Sequence, residues 1–242
     1  VTAKQRGHEV ILLEKNSVLG GKLNFSRQVP FKRDLCKFMD YLIHMVEKTG
    51  VDVRLNTEAT VELVESLEPD VVIAAVGAKA LVPPIPGVDG ANVITAEEAY
   101  RKVKAGEDIG QKIAVVGCET AVYLAQEAGK TVSLVEMTDT LAAASCAIPR
   151  TAITKEIETC VDAHTGSRCT GITKDGITYV DAEGEHSIQA DTVVLSAGMV
   201  PQKAQAEAFR MIAGEFFPIG DCVKANNVRT AVRTGYDSAI QL

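Results

Sequence analysis

Ala3-Lys4-Gln5-Arg6-Gly7-His8-Glu9-Val10-Ile11-Leu12-Leu13-Glu14 returns as Ala125-Gln126-Glu127-Ala128-Gly129-Lys130-Thr131-Val132-Ser133-Leu134-Val135-Glu136, a displacement of 125 − 3 = 122 residues without a gap. Ala, Gly, Val, Leu and Glu recur at five matched positions. Each copy reads as the end of a helix, a glycine that stops it, a short buried strand, and an acid just past the strand's carboxyl end. In a dinucleotide-binding unit an acid so placed accepts hydrogen bonds from the adenosine ribose. Glu14 and Glu136 are therefore the candidate ribose residues, and two copies point to two nucleotides.

The repetition continues downstream. Asp70-Val71-Val72-Ile73-Ala74-Ala75-Val76-Gly77 is echoed by Asp191-Thr192-Val193-Val194-Leu195-Ser196-Ala197-Gly198, displaced by 191 − 70 = 121. Both runs have strand length and end in small residues and a glycine, Gly77 or Gly198, where a bulky side chain would obstruct anything lying on the backbone. A period this long indicates duplicated domains, not a solenoid.

With 242 residues the chain has room for one large or two small cored domains. The formal charge of −7 opposes a nucleic-acid footprint, which needs a concentrated basic surface. No apolar run approaches the roughly 20 residues of a membrane span, and no signal-peptide pattern opens the chain. Cys36, Cys118, Cys146, Cys160, Cys169 and Cys222 are scattered, with no C-x-x-C and no histidine at metal spacing. That excludes a dithiol, a zinc site and an iron–sulfur cluster built from these residues, and a reduced, cytoplasmic setting is expected.

The chain opens inside a helical pattern, Val1-Thr2-Ala3-Lys4. A first strand and a Gly-rich turn are expected before such a helix, so an amino-terminal part of a longer protein is expected. Asn16 to Leu23, with Gly20 and Gly21, reads as a turn-rich loop leading to a segment with Pro30. Residues 34–49 have a helical apolar period, with Asp34 as N-cap and Gly50 as stop. Val51 to Leu55 alternates like a strand, and Ala80 to Pro86, with three prolines, is an extended crossover. Lys112 to Val116 reads as a buried strand ending at Gly117, followed at once by a helical pattern from Cys118 to Ala125. Residues 151–159 are helical, and Val161 to Ile188 forms a meander with turns at Asp175-Gly176 and Glu183-Gly184. Phe216 to Ile219 is a strand running into Gly220-Asp221. Residues 228–242 form a helix whose Ala231, Gly235 and Ala239 give a small-residue face open to a backbone or a flat ligand.

Four pieces together resemble the carboxyl-terminal half of the NADH:flavin oxidoreductases related to 2,4-dienoyl-CoA reductase, trimethylamine dehydrogenase and bile-acid-inducible enoate reductases. They are Arg6-Gly7-His8-Glu9-Val10 leading to Glu14, Leu19-Gly20-Gly21-Lys22-Leu23, Cys118-Glu119-Thr120-Ala121, and Ile219-Gly220-Asp221-Cys222. The resemblance covers nearly the whole chain. It implies an α/β fold of two interleaved Rossmann-like, glutathione-reductase-like domains, the first truncated at its start: FAD-binding residues 1–103 and 205–242, and NAD(P)H-binding residues 104–204. It would give Glu14 the FAD ribose, and Gly20, Gly21 and Lys22 the loop over the FAD. It would place Gly220 and Asp221 at the ribityl and pyrophosphate, and the start of the last helix, with Ala231, near the flavin. Glu136 is the matching acid for the second nucleotide. Neither Met137 nor Thr138 supplies an arginine for a 2′-phosphate, so NADH is favoured over NADPH.

The implied activity is hydride transfer from NADH to FAD, which calls for no dedicated acid or base. In a full-length member, electrons would continue through a 4Fe-4S cluster to FMN in an amino-terminal barrel and reduce an enoate-type C=C bond. The partners implied are a nicotinamide dinucleotide and that barrel, with a homo-oligomer left open. The chain departs from the family at two glycine-rich turns. The first would precede Val1. The second should follow Gly117 but is about five residues short of G-x-G-x-x-G. Either residues are lost there, or the helix unwinds and Thr120 becomes its cap. Both alternatives damage the NADH phosphate site, and they support a rival reading as a non-catalytic nucleotide-binding or interaction module. A free-standing disulfide reductase is disfavoured by the lack of C-x-x-C. Cys222 reads as a packed residue, His164 and His186 as solvated loop residues, and Lys32-Arg33 as a surface pair before a helix.

Overall fold

The computed structural model describes residues 1–29, 32–143 and 147–242, so Pro30 and Cys146 lie outside the described residues. The chain divides into two compact units, Val1–Lys79 with Met199–Leu242, and Ala80–Gly198. Strand β5 (Val93–Thr95) lies in the second unit, as does its hydrogen-bonding partner.

That unit is built on a five-stranded parallel sheet of β5, β6 (Lys112–Val116), β7 (Thr131–Val135), β8 (Asp162–His164) and β12 (Thr192–Leu195), in the spatial order β5-β12-β6-β7-β8. Sheets of this type are covered on both faces, which explains the near-continuous apolar runs. Alternate residues serve opposite faces. Ala114, Val135, Val193 and Leu195 pack against Cys169, Ile172, Ile177 and Tyr179. The last four come from a three-stranded antiparallel sheet of β9 (Arg168–Thr173), β10 (Gly176–Val180) and β11 (Glu185–Gln189). β8 is therefore not part of the meander: it pairs in parallel with β7. The other face meets helices α4 (Ala96–Ala105) and α5 (Glu119–Gln126), and α6 (Ala147–Cys160) packs on α5. α5 is enclosed along its middle, where Thr120 to Leu124 are all under 5% exposed. Each fully buried Val or Leu there contributes about 1.5–3 kcal/mol. α4 begins with a capping box in which Thr95 and Glu98 satisfy each other's backbone N–H.

The first unit starts with α1 (Thr2–Gln5) and contains two separate parallel pairs. β1 (Ile11–Leu13) pairs with β2 (Asp52–Arg54), and β3 (Val71–Ala74) pairs with β14 (Glu215–Pro218). The long helix α2 (Arg33–Thr49) stops at Gly50 in the left-handed conformation, as its sequence predicts. Its N-cap is Lys32 and not Asp34, which is the second helical residue and pairs with Lys37 at 3.1 Å. α3 (Val61–Ser66) is capped by Thr60. The chain leaves through β4 (Ala78–Ala80) and re-enters through β13 (Met199–Pro201) and α7 (Lys203–Glu207). Its last helix, α8, is Val228–Ala239, capped by Asn227, three residues shorter than its pattern suggests. Val64, Ala74, Ala206, Phe209 and Cys222 form its core.

The central strand of the second unit is held at its start. Asp191 Oδ2 accepts the Lys112 and Gln111 backbone N–H groups, both at 2.8 Å. These bonds hold the carboxyl below its ordinary 3.8. Gly110, at φ +77°, makes room for the approach, since a Cβ there would lie 2.3 Å from Asp191 Cβ. A carboxyl with a depressed folded-state pKa stabilises above its ordinary value and loses that contribution as pH falls through the folded one. Asp191→Asn is therefore expected to lower the unfolding midpoint at neutral pH and to flatten the stability loss below pH 3.8. Urea titrations at pH 7 and below that value would check both effects.

Candidate functional site

The two repeated acids end in the same local geometry. Past β1, Glu14 Oε1 accepts the Asn16 backbone N–H at 2.8 Å and Asn16 Nδ2 at 2.7 Å. Past β7, Glu136 Oε1 accepts the Thr138 backbone N–H at 2.9 Å and Thr138 Oγ1 at 2.8 Å. In both, one carboxylate oxygen closes a turn onto the residue two positions on. The other, Oε2, has no partner among the described residues and remains able to accept from a ligand. Each strand is hydrogen-bonded on through its acid: Glu14 N–H donates to Arg54 O, and Glu136 N–H to His164 O.

The two repeated glycines also match. Gly77 has φ +74° and Gly198 has φ +108°, and a Cβ on either would meet nothing within 4 Å. Each carbonyl accepts one backbone N–H, from Gln202 at 3.1 Å and Leu81 at 2.9 Å respectively. Both positions keep the open approach that small residues at strand ends imply.

Elsewhere in the first unit, the loop around Gly20 is tight. A Cβ on Gly20 (φ +110°) would lie 2.6 Å from Met39 Sδ, whereas Gly21 (φ +51°) faces open space. Residues Gly21–Gln28, including Lys22, form a 3-10 helix, and Asn24 Nδ2 closes the turn on the Leu19 and Gly21 carbonyls. Gly220 and Asp221 begin another short 3-10 turn after β14. Gly220 N–H donates to Thr234 Oγ1 at 3.0 Å, and Asp221 Oδ1 accepts Asn226 N–H at 3.2 Å. The small-residue face of α8 is used for packing. Ala231 Cβ would be 3.5 Å from a Cβ on Gly220, and Gly235 lies against Ile219. Cys222 is 1% exposed and donates to the Ala74 and Ile219 carbonyls. A groove in this unit lined by Phe38, Val228, Arg229, Val232, Arg233 and Tyr236 contains none of the candidate ligand residues.

In the second unit the expected phosphate turn is closed. Only Gly117 and Cys118 separate β6 from α5, the short end of the range for a strand-to-helix link. Gly117, at φ +107°, makes the reversal possible, and its N–H donates to Val135 O at 3.2 Å. A Cβ there would lie 2.1 Å from Ser196 O, so protein backbone fills the space. The helix does not unwind to Thr120. It begins at Glu119, and Thr120 Oγ1 lies 3.1 Å from Ser196 Oγ. The turn as built leaves no room for a pyrophosphate, while Glu136 keeps an acceptor oxygen and Gly198 an open approach.

One cluster was missed by sequence reasoning. Tyr179, 5% exposed, lies between His164 and His186, with ring centroids 5.0 and 5.1 Å away. Tyr179 Oη is 3.1 Å from His164 Nδ1, and the two imidazoles reach Asp162 and Asp181 through Nε2. The histidines are thus partnered strand residues, not solvated loop residues. Burial first, and then the neighbouring acids, raise the Tyr179 hydroxyl above its ordinary range. Among the described residues no group of three His, Cys, Asp or Glu residues could hold a metal ion, and no helix is long and apolar enough to cross a membrane.

A family model described as pyridine nucleotide-disulphide oxidoreductase matches residues 1–235. The chain belongs to that family. Within it, the chain corresponds to the carboxyl-terminal FAD/NAD half of the NADH:flavin oxidoreductases, and the cofactors of this family are FAD and a nicotinamide dinucleotide. The chain is 33% identical over 241 residues to bilirubin reductase of Mediterraneibacter gnavus, covering 98% of this chain and 37% of that protein. It is 32% identical over 253 residues to NADH oxidase of Thermoanaerobacter brockii, covering 100% and 38%. Among solved structures, a 2-naphthoyl-CoA reductase complex superposes with a TM-score of 0.91 at 28% identity, covering 99% of this chain and 37% of that one. The chain spans less than two fifths of the length of these oxidoreductases. The family's α/β architecture is the one the repeats predict.

The contrast between packed and open glycines is testable. Gly117→Ala is expected to cost about 1–2 kcal/mol for its backbone conformation and about 1–3 kcal/mol more for the collision with Ser196. Gly198→Ala should cost only the first. Chemical denaturation of the two variants side by side would measure the difference.

Proposed function

We propose that the chain is the electron-input module of a flavin-dependent oxidoreductase, with FAD held by the first unit and NADH by the second. The observation that carries this reading is the pair of identical carboxylate turns, Glu14 with Asn16 and Glu136 with Thr138, each leaving Oε2 to accept from a ribose. In the first unit Glu14 binds the adenosine ribose, the Gly20–Lys22 turn covers the ligand, Gly77 lets it approach, and Asp221 faces the ribityl chain. Ala231 contributes by letting the Gly220 turn sit close to α8. In the second unit Glu136 binds the ribose and Gly198 leaves room for the dinucleotide. The chemistry supplied by the bound cofactors is transfer of a hydride from NADH to FAD, which asks the protein for position and exclusion of water.

NADH is the preferred donor. Met137 is 68% exposed and uncharged, the Thr138 hydroxyl is committed to Glu136 and to the Thr140 carbonyl, and the His164 ring is turned onto Tyr179. None of these offers a cation to a 2′-phosphate. In the longer oxidoreductase the electrons pass, through a 4Fe-4S cluster and FMN carried by an amino-terminal barrel, to an enoate-type C=C bond. A relative that is a reductase of an aryl-CoA thioester supports that substrate class.

The closed Gly117 turn favours a second reading, in which the second unit holds a nucleotide without turnover or holds none. Mixing the purified chain with FAD, desalting, and adding NADH anaerobically separates the two. Retained flavin absorption that bleaches supports the input module, and retained flavin that NADH leaves unchanged supports the second reading. Loss of all flavin overturns the assignment of FAD to the first unit. Glu14→Ala should weaken FAD binding about tenfold or more, since a hydrogen bond to a charged group is worth about 1.5–3 kcal/mol. Glu136→Ala should raise the NADH concentration needed for bleaching and leave FAD content unchanged; release of FAD by this variant would reverse the two assignments.

A further inference from the structure

We propose that Met137 is the base-recognition residue of the second unit, covering one face of the purine whose ribose Glu136 holds. The inference rests on the reading of Glu136 as the ribose acid, and deepens it by naming the side chain that selects the base.

The turn that carries Met137 is locked in place. Glu136 N–H donates to His164 O and Glu136 O accepts the Ser167 N–H, both at 2.9 Å, while Thr138 O accepts the Gly166 N–H at 3.1 Å. Within the turn, Glu136 Oε1 takes the Thr138 N–H and hydroxyl, and that hydroxyl also lies 2.9 Å from Thr140 O. The backbone is thus clamped on either side of Met137, whose side chain starts from a fixed point beside the unused Oε2. It is nevertheless 68% exposed. A single exposed apolar side chain is ordinary on a protein surface; the fixed backbone and the adjoining acceptor oxygen set this one apart.

The turn's own geometry does not call for methionine. In the first unit Glu14 closes onto Asn16 with the same pattern of hydrogen bonds, and the residue between them is an exposed lysine, Lys15. The frame accepts a cation in one copy and a thioether in the other, so the identity of Met137 answers to something outside the frame.

The surroundings narrow what that is. A base is attached directly to the ribose, and consecutive Cα atoms lie about 3.8 Å apart, so a sugar held by Glu136 brings its base within reach of the next side chain. Met137 is the large apolar residue of the turn and of the facing 164–167 loop that is open to a ligand: the Thr138 hydroxyl is committed, the His164 ring lies on Tyr179, and Ser167 is 1% exposed. A thioether on three rotatable bonds settles readily on an aromatic ring and is attracted to it. The closed Gly117 turn gives this contact weight, because a ligand without a main-chain cradle for its phosphates draws a larger share of its affinity from the adenosine end.

The test titrates AMP into the full chain, isotope-labelled at its methionine methyl groups and backbone amides, with the Gly198 amide as reporter of the second unit. The Met137 methyl resonance, assigned by its loss in Met137→Leu, should move upfield over the same AMP range as Gly198, because the face of an aromatic ring shields what lies on it. Met137→Ala should weaken AMP binding about fivefold or more, and Met137→Leu, which nearly keeps the volume, should stay within about twofold of the parent. CMP, which shares the ribose and phosphate but has a smaller ring, should lose less in Met137→Ala than AMP does. The urea midpoint of that variant should match the parent, since backbone bonds hold the turn. A methyl that stays put while AMP saturates Gly198 would overturn the proposal, as would equal losses for AMP and CMP or a fall in stability that accompanies the fall in affinity. Glu136→Ala separates the proposal from the reading beneath it. If this variant weakens AMP and Met137→Ala does not, the ribose acid stands and the role of Met137 falls; if AMP moves no resonance of the second unit, both fall.

Discussion

A strand inside a parallel sheet must be hydrogen-bonded along both edges and covered on both faces, and the architecture of this chain turns on where that condition is met. β6 meets it in the second unit. Its carbonyls and amides pair with β12 on one side and β7 on the other, Asp191 fixes its start, and Ile113, Ala114 and Val115 are buried. The consequence is a continuous sheet of five strands with cores on both faces. In the first unit the same repeat produces two isolated strand pairs and a smaller core.

Much of this was legible in the sequence, because the decisive signal was self-similarity. The displaced Ala, Gly, Val, Leu and Glu place α1, β1 and Glu14 against α5, β7 and Glu136, and the turns after both acids are alike in atomic detail. What was not legible has tertiary causes. The pairing of β5 with β12, a partner 193 − 93 = 100 residues away, is a choice that no local pattern announces. The link at Gly117 is about five residues shorter than the glycine-rich motif expected there. A glycine at φ +107° with a carbonyl in the place of its side chain achieves it. The capping box at Thr95 and Glu98 was readable and marks a helix that the apolar pattern alone leaves unclaimed. The stacking of His164 and His186 on Tyr179 depends on register between three strands and has no signature in spacing.

For the candidate ligand residues, the structure separates those that are free to meet a ligand from those already spent on packing. Glu14, Glu136, Gly77 and Gly198 keep an unused oxygen or an empty approach. The Cβ positions of Gly20 and Gly117 are instead taken by Met39 and Ser196, and Gly220 sits in van der Waals contact with Ala231. The same residue type therefore serves two ends in one molecule. Only the neighbouring atoms distinguish them. The small-residue face of α8 belongs with the second group, since backbone and side chain from the β14 turn already rest on it.

The burial of Cys222 has a kinetic consequence. Its sulfur is sealed at 1% exposure between the Ala74 and Ile219 carbonyls, at the junction of β3 and β14, while Cys36 and Cys160 are only partly covered. A thiol so enclosed meets an alkylating reagent only during the fraction of time that this strand pair separates. Its labelling rate is therefore a clock for opening of the first unit alone, with the two half-covered cysteines as internal references for the reagent's intrinsic speed.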